Sequence, residues 1–113
     1  MGIDLAESAQ IKFGETTLEV IHTPGHTPGH LCFYEPEQKI LFSGDTLFRE
    51  SIGRTDLPGG DYSWIMNSIL EKIMPLGGDV EVYPGHGEKT TIGHELLYNP
   101  FITEVIQGEV NYR

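Results

Sequence analysis

Hydrophobic and polar residues alternate along the first half of the chain, which is the pattern of β-strands with one buried face. Residues 17–21 alternate and are rich in β-branched side chains, and residues 11–13 form a shorter alternating run. Two apolar segments, residues 31–34 and 39–43, flank a Glu-Pro-Glu-Gln sequence that is typical of a tight turn. The pattern predicts strands in these segments, before a loop rich in Gly, Arg and Asp at residues 49–60.

A helical period follows at residues 62–74. An isoleucine recurs there at every fourth position, and Met66 and Leu70 widen the apolar stripe. Pro75 cannot continue the helix and is expected to end it. We predict that this stripe, together with Trp64, belongs to the hydrophobic core.

The remaining elements are a strand at residues 80–83, a short helix at residues 91–98 and a last helix at about residues 99–107. An Asn-Pro pair at the start of the last helix fits an N-cap followed by a proline in the first turn. This order predicts an α/β or α+β fold with one sheet and helices on one of its faces. The length of 113 residues suits a single domain that spans residues 1–113.

The opposite face of the sheet has no obvious partner in the sequence. The apolar residues expected on that face are Leu31, Phe33, Ile40 and Phe42. A bare apolar face predicts that the chain forms a homodimer, binds another polypeptide or is marginally stable by itself. The alternative is that residues 1–10 and the last helix fold back over it.

Charge and composition narrow the classes of partner. A net charge of −10 disfavours binding to nucleic acids and to anionic membranes. No apolar run approaches the ~20 residues of a membrane-spanning helix, so we expect a cytoplasmic protein. Cys32 is the only cysteine and lies in an apolar run, which predicts a small buried side chain rather than a reactive thiol.

Three polar residues follow predicted strands in glycine-containing turns: His26, Asp45 and His86. Loops at strand ends meet at one edge of a sheet, and imidazole nitrogen and carboxylate oxygen are zinc ligands. The pattern therefore predicts a metal site at that edge. Gly-Asp and Pro-Gly-His also occur as ordinary turns, and that interpretation stays open at this point.

The sequences around these residues resemble three successive motifs of the metallo-β-lactamase superfamily. They are Thr-Pro-Gly-His-Thr-Pro-Gly-His at residues 23–30, Phe-Ser-Gly-Asp-Thr-Leu-Phe at 42–48 and Val-Tyr-Pro-Gly-His-Gly at 82–87. Gly-Arg-Thr-Asp at residues 53–56 and Thr-Thr-Ile-Gly at 90–93 are similar to the glyoxalase II-like branch. The resemblance extends from residue 11 to about residue 102, and it implies half of an αββα sandwich with a mixed sheet.

The resemblance also implies roles for individual residues. His26 would bind one zinc ion, His86 the second, and Asp45 would bridge the two. The metals would lower the pKa of a water molecule that attacks the carbonyl of a thioester, such as an S-acylglutathione. Arg54 would contact this substrate, unless it forms an ion pair with Asp56 instead.

Three further histidines have weaker claims to a functional role. His30 matches a recurrent residue of the superfamily and is expected to hold the loop rather than to bind metal. His22 lies at a strand end and is expected to pack in the core or to support the ligands. His94 is expected at the surface or in a helix cap.

One motif of the superfamily is absent from the 113 residues, the His-x-His-x-Asp-His that supplies four more ligands. The chain therefore resembles the C-terminal half of the fold, and by itself it is expected to be inactive. Two alternatives stay open: a non-catalytic remnant or interaction module, and a relative of persulfide dioxygenases that uses a single iron. The missing N-terminal half and a second copy of the chain are the partners expected at the bare face.

Overall fold

The computed structural model describes residues 10–112, with the side chains of residues 13 and 108–112 omitted. Its main sheet has six strands in the order β1-β2-β3-β4-β7-β8. The strands are β1 (Gln10–Phe13), β2 (Thr16–His22), β3 (Leu31–Glu35), β4 (Ile40–Gly44), β7 (Glu81–Pro84) and β8 (Thr90–Thr91). β4 and β7 pair in parallel and the other neighbours pair antiparallel, so the sheet is mixed, as predicted.

The strands predicted from alternation are confirmed, and three very short strands were not predicted. β5 (Leu47–Phe48) and β6 (Ser51–Ile52) form a small hairpin directly after the site residue Asp45. β8, the third, has two residues and closes the edge of the main sheet. A strand of two residues is too short to show a period in the sequence, which explains the omission.

The predicted helix at residues 62–74 begins as an α-helix but does not stay one. α1 (Tyr62–Ser68) is capped by Asp61, whose side chain accepts the N–H of Trp64 at 2.9 Å. The chain continues as a π-helical segment, Ile69–Ile73, and a 3₁₀ turn, Met74–Leu76. Both isoleucines of the π-helical segment stay fully buried, so the apolar stripe is preserved through the change of pitch.

Two more helices complete the covered face. α2 (Ile92–Tyr98) is capped by the hydroxyl of Thr91, which accepts the N–H of His94. α3 (Pro100–Tyr112) extends beyond the predicted end at residue 107. Its predicted N-cap is confirmed, because the Asn99 side chain accepts the N–H groups of Phe101 and Ile102.

The hydrophobic core lies between the sheet and these helices. Its residues include Ile21, Cys32, Tyr34, Leu41, Val82, Ile65, Ile69, Ile73, Ile92 and Ile102. Cys32 is buried, as predicted. The prediction for Trp64 was wrong, because this side chain is 49% exposed. Trp64 precedes Ile65 by one residue, which turns it ~100° away from the buried stripe.

The opposite face of the sheet carries the apolar side chains that were predicted there. Phe33 and Phe42 are register partners, and the ring of Phe42 lies 6.0 Å from that of Tyr83 between centroids. Phe42 is 43% exposed, whereas Val20 on the same face is buried. α3 packs mainly against α2 and β6. The alternative in which residues 1–10 cover the face concerns residues that lie almost entirely outside the described range.

No helix among the described residues is long and apolar enough to cross a bilayer. A cytoplasmic location and a single domain over residues 1–113 both stay predictions.

Two neighbouring residues of α1 test the assignment of the core. Ile65→Ala removes a fully buried side chain and is expected to lower the free energy of unfolding by about 2–5 kcal/mol. Trp64→Ala removes a larger side chain that is half exposed, and we expect a loss of no more than about 1 kcal/mol. Urea denaturation followed by far-UV circular dichroism measures both. Equal losses would contradict the assignment of Trp64 to the surface.

Candidate metal centre

The structure brings the three predicted site residues to one edge of the sheet. Asp45 directly follows β4, His86 follows β7, and His26 lies in the loop after β2. Nε2 of His26 lies 3.7 Å from Oδ2 of Asp45, and Nδ1 of His86 lies 3.8 Å from Oδ1 of the same carboxylate. The prediction that the three side chains converge is therefore confirmed, while their role as ligands stays a prediction.

The two carboxylate oxygens of Asp45 face different histidines. Two atoms that each bind one metal at ~2 Å can be at most ~4 Å apart, and both distances satisfy this limit. Within the described part of the chain, no three His, Cys, Asp or Glu side chains converge to hold one ion. Each carboxylate oxygen of Asp45 is therefore close enough to one histidine nitrogen for the two atoms to share an ion.

His26 is oriented as a metal ligand would be. Its Nδ1 lies 2.8 Å from the backbone oxygen of Arg54, so this nitrogen carries the proton and donates. Nε2, which faces Asp45, is then left with its lone pair. Ligating histidines in proteins are commonly fixed in this way, because the second nitrogen donates to a carbonyl.

The site is open to solvent. The side chains of His26, Asp45 and His86 are 20%, 43% and 79% exposed. They line a cavity of about 520 Å³, together with Phe48, Arg49 and Arg54 among others. That volume lies in the range of small-molecule sites, so both the ions and a substrate could enter.

His30 holds the loop, as predicted. Its Nε2 accepts the N–H of Asp45 at 3.0 Å, so its proton lies on Nδ1, which donates to the Thr46 hydroxyl at 2.9 Å. Burial lowers the pKa of His30 below its usual range, although the nearby Asp45 raises it. A neutral His30 is the form that can accept the N–H of Asp45 and so fix the backbone of this residue.

The hydrogen bonds continue from His30 into the core. The hydroxyls of Thr46 and Thr23, both fully buried, lie 3.0 Å apart, and Thr23 lies 3.3 Å from the sulfur of Cys32. The thiol of Cys32 donates to the backbone oxygen of Ser43, and burial raises its pKa. Each group can donate to the next in one direction, so the network is satisfied without any charge.

Gly44 makes this arrangement possible. Its φ is +52°, a conformation that favours glycine, and a Cβ at this position would lie 2.8 Å from Nε2 of His30. Any other residue would therefore push His30 away from the N–H of Asp45.

Arg54 forms the ion pair that the sequence left open. Its Nε lies 2.8 Å from Oδ1 of Asp56, and a terminal nitrogen lies 3.0 Å from Oδ2. These hydrogen bonds raise the pKa of Arg54 and lower the pKa of Asp56. Both side chains are exposed, and Arg54 still lines the cavity, so its contact with a substrate stays a prediction.

The other histidines lie outside the centre. His22 is half-buried at the end of β2, and its Nε2 contacts the backbone oxygen of Pro28 at 2.7 Å. His94 is also half-buried and pairs with Glu50 at 2.8 Å near the start of α2. Sequence reasoning missed Phe48, whose ring lies 4.8 Å from that of His86 between centroids. The sequence did offer one signal for Phe48, which lies three residues after Asp45 in the same motif.

Comparison with known proteins shows the family of the chain. The family model of the metallo-beta-lactamase superfamily matches residues 1–86. The chain belongs to this superfamily. It is 48% identical over 96 residues to the hydroxyacylglutathione hydrolase GloC of Haemophilus influenzae, a match that covers 85% of this chain and 45% of GloC.

Solved structures of the superfamily share the fold. The BLEG-1 B3 metallo-beta-lactamase has a TM-score of 0.80 and 50% identity over 83% of this chain and 45% of its own. TTHA1623 in a di-iron-bound form has a TM-score of 0.77 and 44% identity, over 89% of this chain and 49% of its own. The chain thus spans about half the length of the relatives that it matches.

The role of His30 can be separated from that of a surface histidine. His30→Ala leaves the N–H of Asp45 without its acceptor and removes the donor to the buried Thr46 hydroxyl, so we expect a loss of stability of about 1–3 kcal/mol. His94→Ala removes a partly exposed ion pair with Glu50 and is expected to cost no more than about 1 kcal/mol. Denaturant titration of the two variants gives the comparison. If His30→Ala loses no stability, the loop holds its shape without this side chain.

Proposed function

We propose that this chain supplies part of the active site of a metal-dependent hydrolase that cleaves thioesters of the S-acylglutathione type. The observation that carries the proposal is the Asp45 carboxylate, which presents one oxygen to each of two histidines. The superfamily membership supports metal-dependent hydrolysis as the class of reaction. The similarity to GloC supports the narrower substrate class, because GloC is described as a hydroxyacylglutathione hydrolase.

We infer that two zinc ions are the cofactor. His26 Nε2 with Asp45 Oδ2 would hold one ion, and His86 Nδ1 with Asp45 Oδ1 would hold the other. When bound, the ions supply a Lewis acid and a water of lowered pKa at neutral pH. Iron is the alternative metal, since the related TTHA1623 is described in a di-iron-bound form.

Two protein ligands per ion are fewer than a tight zinc site uses. In this proposal the remaining ligands come from a polypeptide with the His-x-His-x-Asp-His motif, which these 113 residues do not contain. The chain spans 45% of GloC, which leaves room for such a segment in a protein of that length. By themselves, the 113 residues would bind zinc weakly and turn over little substrate.

The substrate would enter the cavity at the centre. Arg49 and Arg54 lie at its wall, in a chain whose net charge is −10. A guanidinium can bind a carboxylate with two parallel hydrogen bonds, and the glutathione part of the substrate carries carboxylates. For Arg54 this contact would compete with the ion pair to Asp56.

Zinc titration tests the site directly. We expect the chain to bind zinc weakly, and we expect Asp45→Ala to weaken binding by at least about tenfold, since even changes around metal ligands cost that much. Asp79→Ala is the matched control, because this aspartate is exposed, pairs with Lys39 and lies outside the cavity. Competition with a chromophoric chelator, read by absorbance, gives the affinities.

An activity assay on the same proteins distinguishes an enzyme fragment from a non-catalytic module. With added zinc and S-lactoylglutathione, the chain alone is expected to turn over more slowly than about 1 s⁻¹, the lower end of ordinary enzymes. Faster turnover would contradict the need for further ligands. If Asp45→Ala and Asp79→Ala bind zinc equally, the metal site is wrong and the interaction module becomes the better explanation.

We also propose that the outward face of the sheet binds a second polypeptide. Phe42 is 43% exposed there, and Phe33 beside it is partly exposed. Two candidates fit this face: the polypeptide that supplies the remaining ligands, and a second copy of the chain in a twofold contact. A homodimer would cover the aromatic surface but would not add the missing motif.

Light scattering at micromolar concentration tests this contact. We expect the isolated chain to self-associate, and we expect Phe42→Ser to weaken the association because it removes the most exposed aromatic side chain of the face. Leu97→Ser, on α2 and 70% exposed, is the control. A cooperatively melting monomer that binds no hydrophobic dye would show that the face is already covered.

A further inference from the structure

A buried carboxylate contacts the tip of the β5–β6 hairpin. The side chain of Glu95 on α2 is fully buried. Its Oε1 accepts the N–H of Glu50 at 2.8 Å and the Nδ2 amide of Asn99 at 2.8 Å, and its Oε2 accepts the Thr90 hydroxyl at 2.6 Å. A buried carboxylate needs such donors, and all three come from segments other than α2.

Two hydrogen bonds, one to Glu95 and one from Asn99, hold the tip of the β5–β6 hairpin. Glu95 binds the N–H of Glu50, and Asn99 donates from Nδ2 to the backbone oxygen of Ser51 at 3.1 Å. Asn99 is fully buried as well. The tip is therefore held by two fully buried side chains, Glu95 and Asn99.

The tip would not adopt its shape as readily without this support. Glu50 has a φ of +59°, in the left-handed region that residues other than glycine seldom occupy. Such conformations persist where surrounding contacts enforce them. The contact to Glu95 enforces it from inside, and the ion pair of Glu50 with His94 does so from outside.

The hairpin in turn touches all three residues of the centre. On its first strand, the Phe48 ring lies 4.8 Å from the ring of His86, which is itself 79% exposed. After its second strand, Gly53 packs so closely that an added Cβ would lie 3.4 Å from Cβ of His26 and would overlap the backbone oxygen of Asp45. Arg54, the next residue, accepts the Nδ1–H of His26.

We propose that Glu95 and Asn99 are positioning residues of the metal centre, which act by clamping the β5–β6 hairpin against His26, Asp45 and His86. The inference rests on the proposed function only in naming these three residues as the centre. Neither Glu95 nor Asn99 lines the cavity at the centre. They act through Phe48, Gly53 and Arg54.

In this proposal, Glu95 supplies geometry rather than charge. In Glu95→Gln, the amide oxygen can still accept from Glu50 and Asn99, and the amide nitrogen can donate to Thr90, whose hydroxyl then accepts. In Glu95→Asp, the charge stays, but the carboxylate is withdrawn by about 1.5 Å and cannot reach all of its donors. Glu95→Gln, which keeps the shape of the side chain, should therefore be tolerated, and Glu95→Asp, which keeps its charge, should not.

NMR of the full chain without metal tests the clamp. In Glu95→Asp, amide exchange of Glu50 is expected to be at least about tenfold faster, the effect of losing a buried hydrogen bond. The chemical shifts of the His86 ring protons are expected to change, because these protons lose the ring-current effect of Phe48. Glu95→Gln should restore both signals to those of the unsubstituted chain.

Ile73→Val is the control for general destabilisation. It trims a fully buried side chain of the π-helical segment, which does not line the cavity, so it should lower stability and leave the His86 signals in place. If Ile73→Val moves these signals as far as Glu95→Asp does, the clamp is not specific. If Glu95→Gln behaves like Glu95→Asp, the charge matters and the proposal is overturned.

The unsubstituted chain provides a test that does not depend on any variant folding. Its Glu50 amide must exchange far more slowly than an amide in an open turn, and random-coil exchange there would also overturn the proposal. None of these measurements needs bound metal or substrate. A chain that fails to bind zinc would thus refute the proposed function and leave the clamp standing.

Discussion

The carboxylate of Asp45, whose two oxygens face different histidines, constrains the loops around it. Asp45 can face His26 with one oxygen and His86 with the other only if its backbone is held in place. The N–H of Asp45 is bound to His30, and Gly44 before it leaves the space that His30 needs. From the other side, Gly53 packs against its carbonyl. The loops around the edge of the sheet serve this one placement.

The polar groups that do this are arranged in two separate layers. Under Asp45, the layer of His30, Thr23, Thr46 and Cys32 is neutral and reaches down into the core. Beside it, the layer of Glu95 and Asn99 fixes a hairpin rather than a ligand. The groups of the first layer can donate to one another in one direction, while the carboxylate of Glu95 in the second accepts from three donors.

The sequence predicted the long elements and the three converging residues because both have local signals. Alternation marks β2, β3 and β4, and a ligand-type side chain after a glycine turn marks His26, Asp45 and His86. The hairpin at residues 47–52 and the roles of Glu95 and Asn99 have no such signal, since they depend on contacts between positions more than 40 residues apart. Trp64 was misplaced because hydrophobicity alone does not say on which side of a helix stripe a residue falls.

The parallel pairing of β4 with β7 has a consequence for how the centre comes into being. β1 to β4 follow one another along the chain, joined by short loops, and can pair early. β7 pairs with β4 only after residues 45–80, which include α1. Closing so long a loop is slow compared with forming hairpins. A chain in which only the early strands have paired already holds His26 and Asp45 but has no place for His86. The approach of His86 to Asp45 therefore exists only once β7 has docked, so a probe of this contact would report the completion of the sheet.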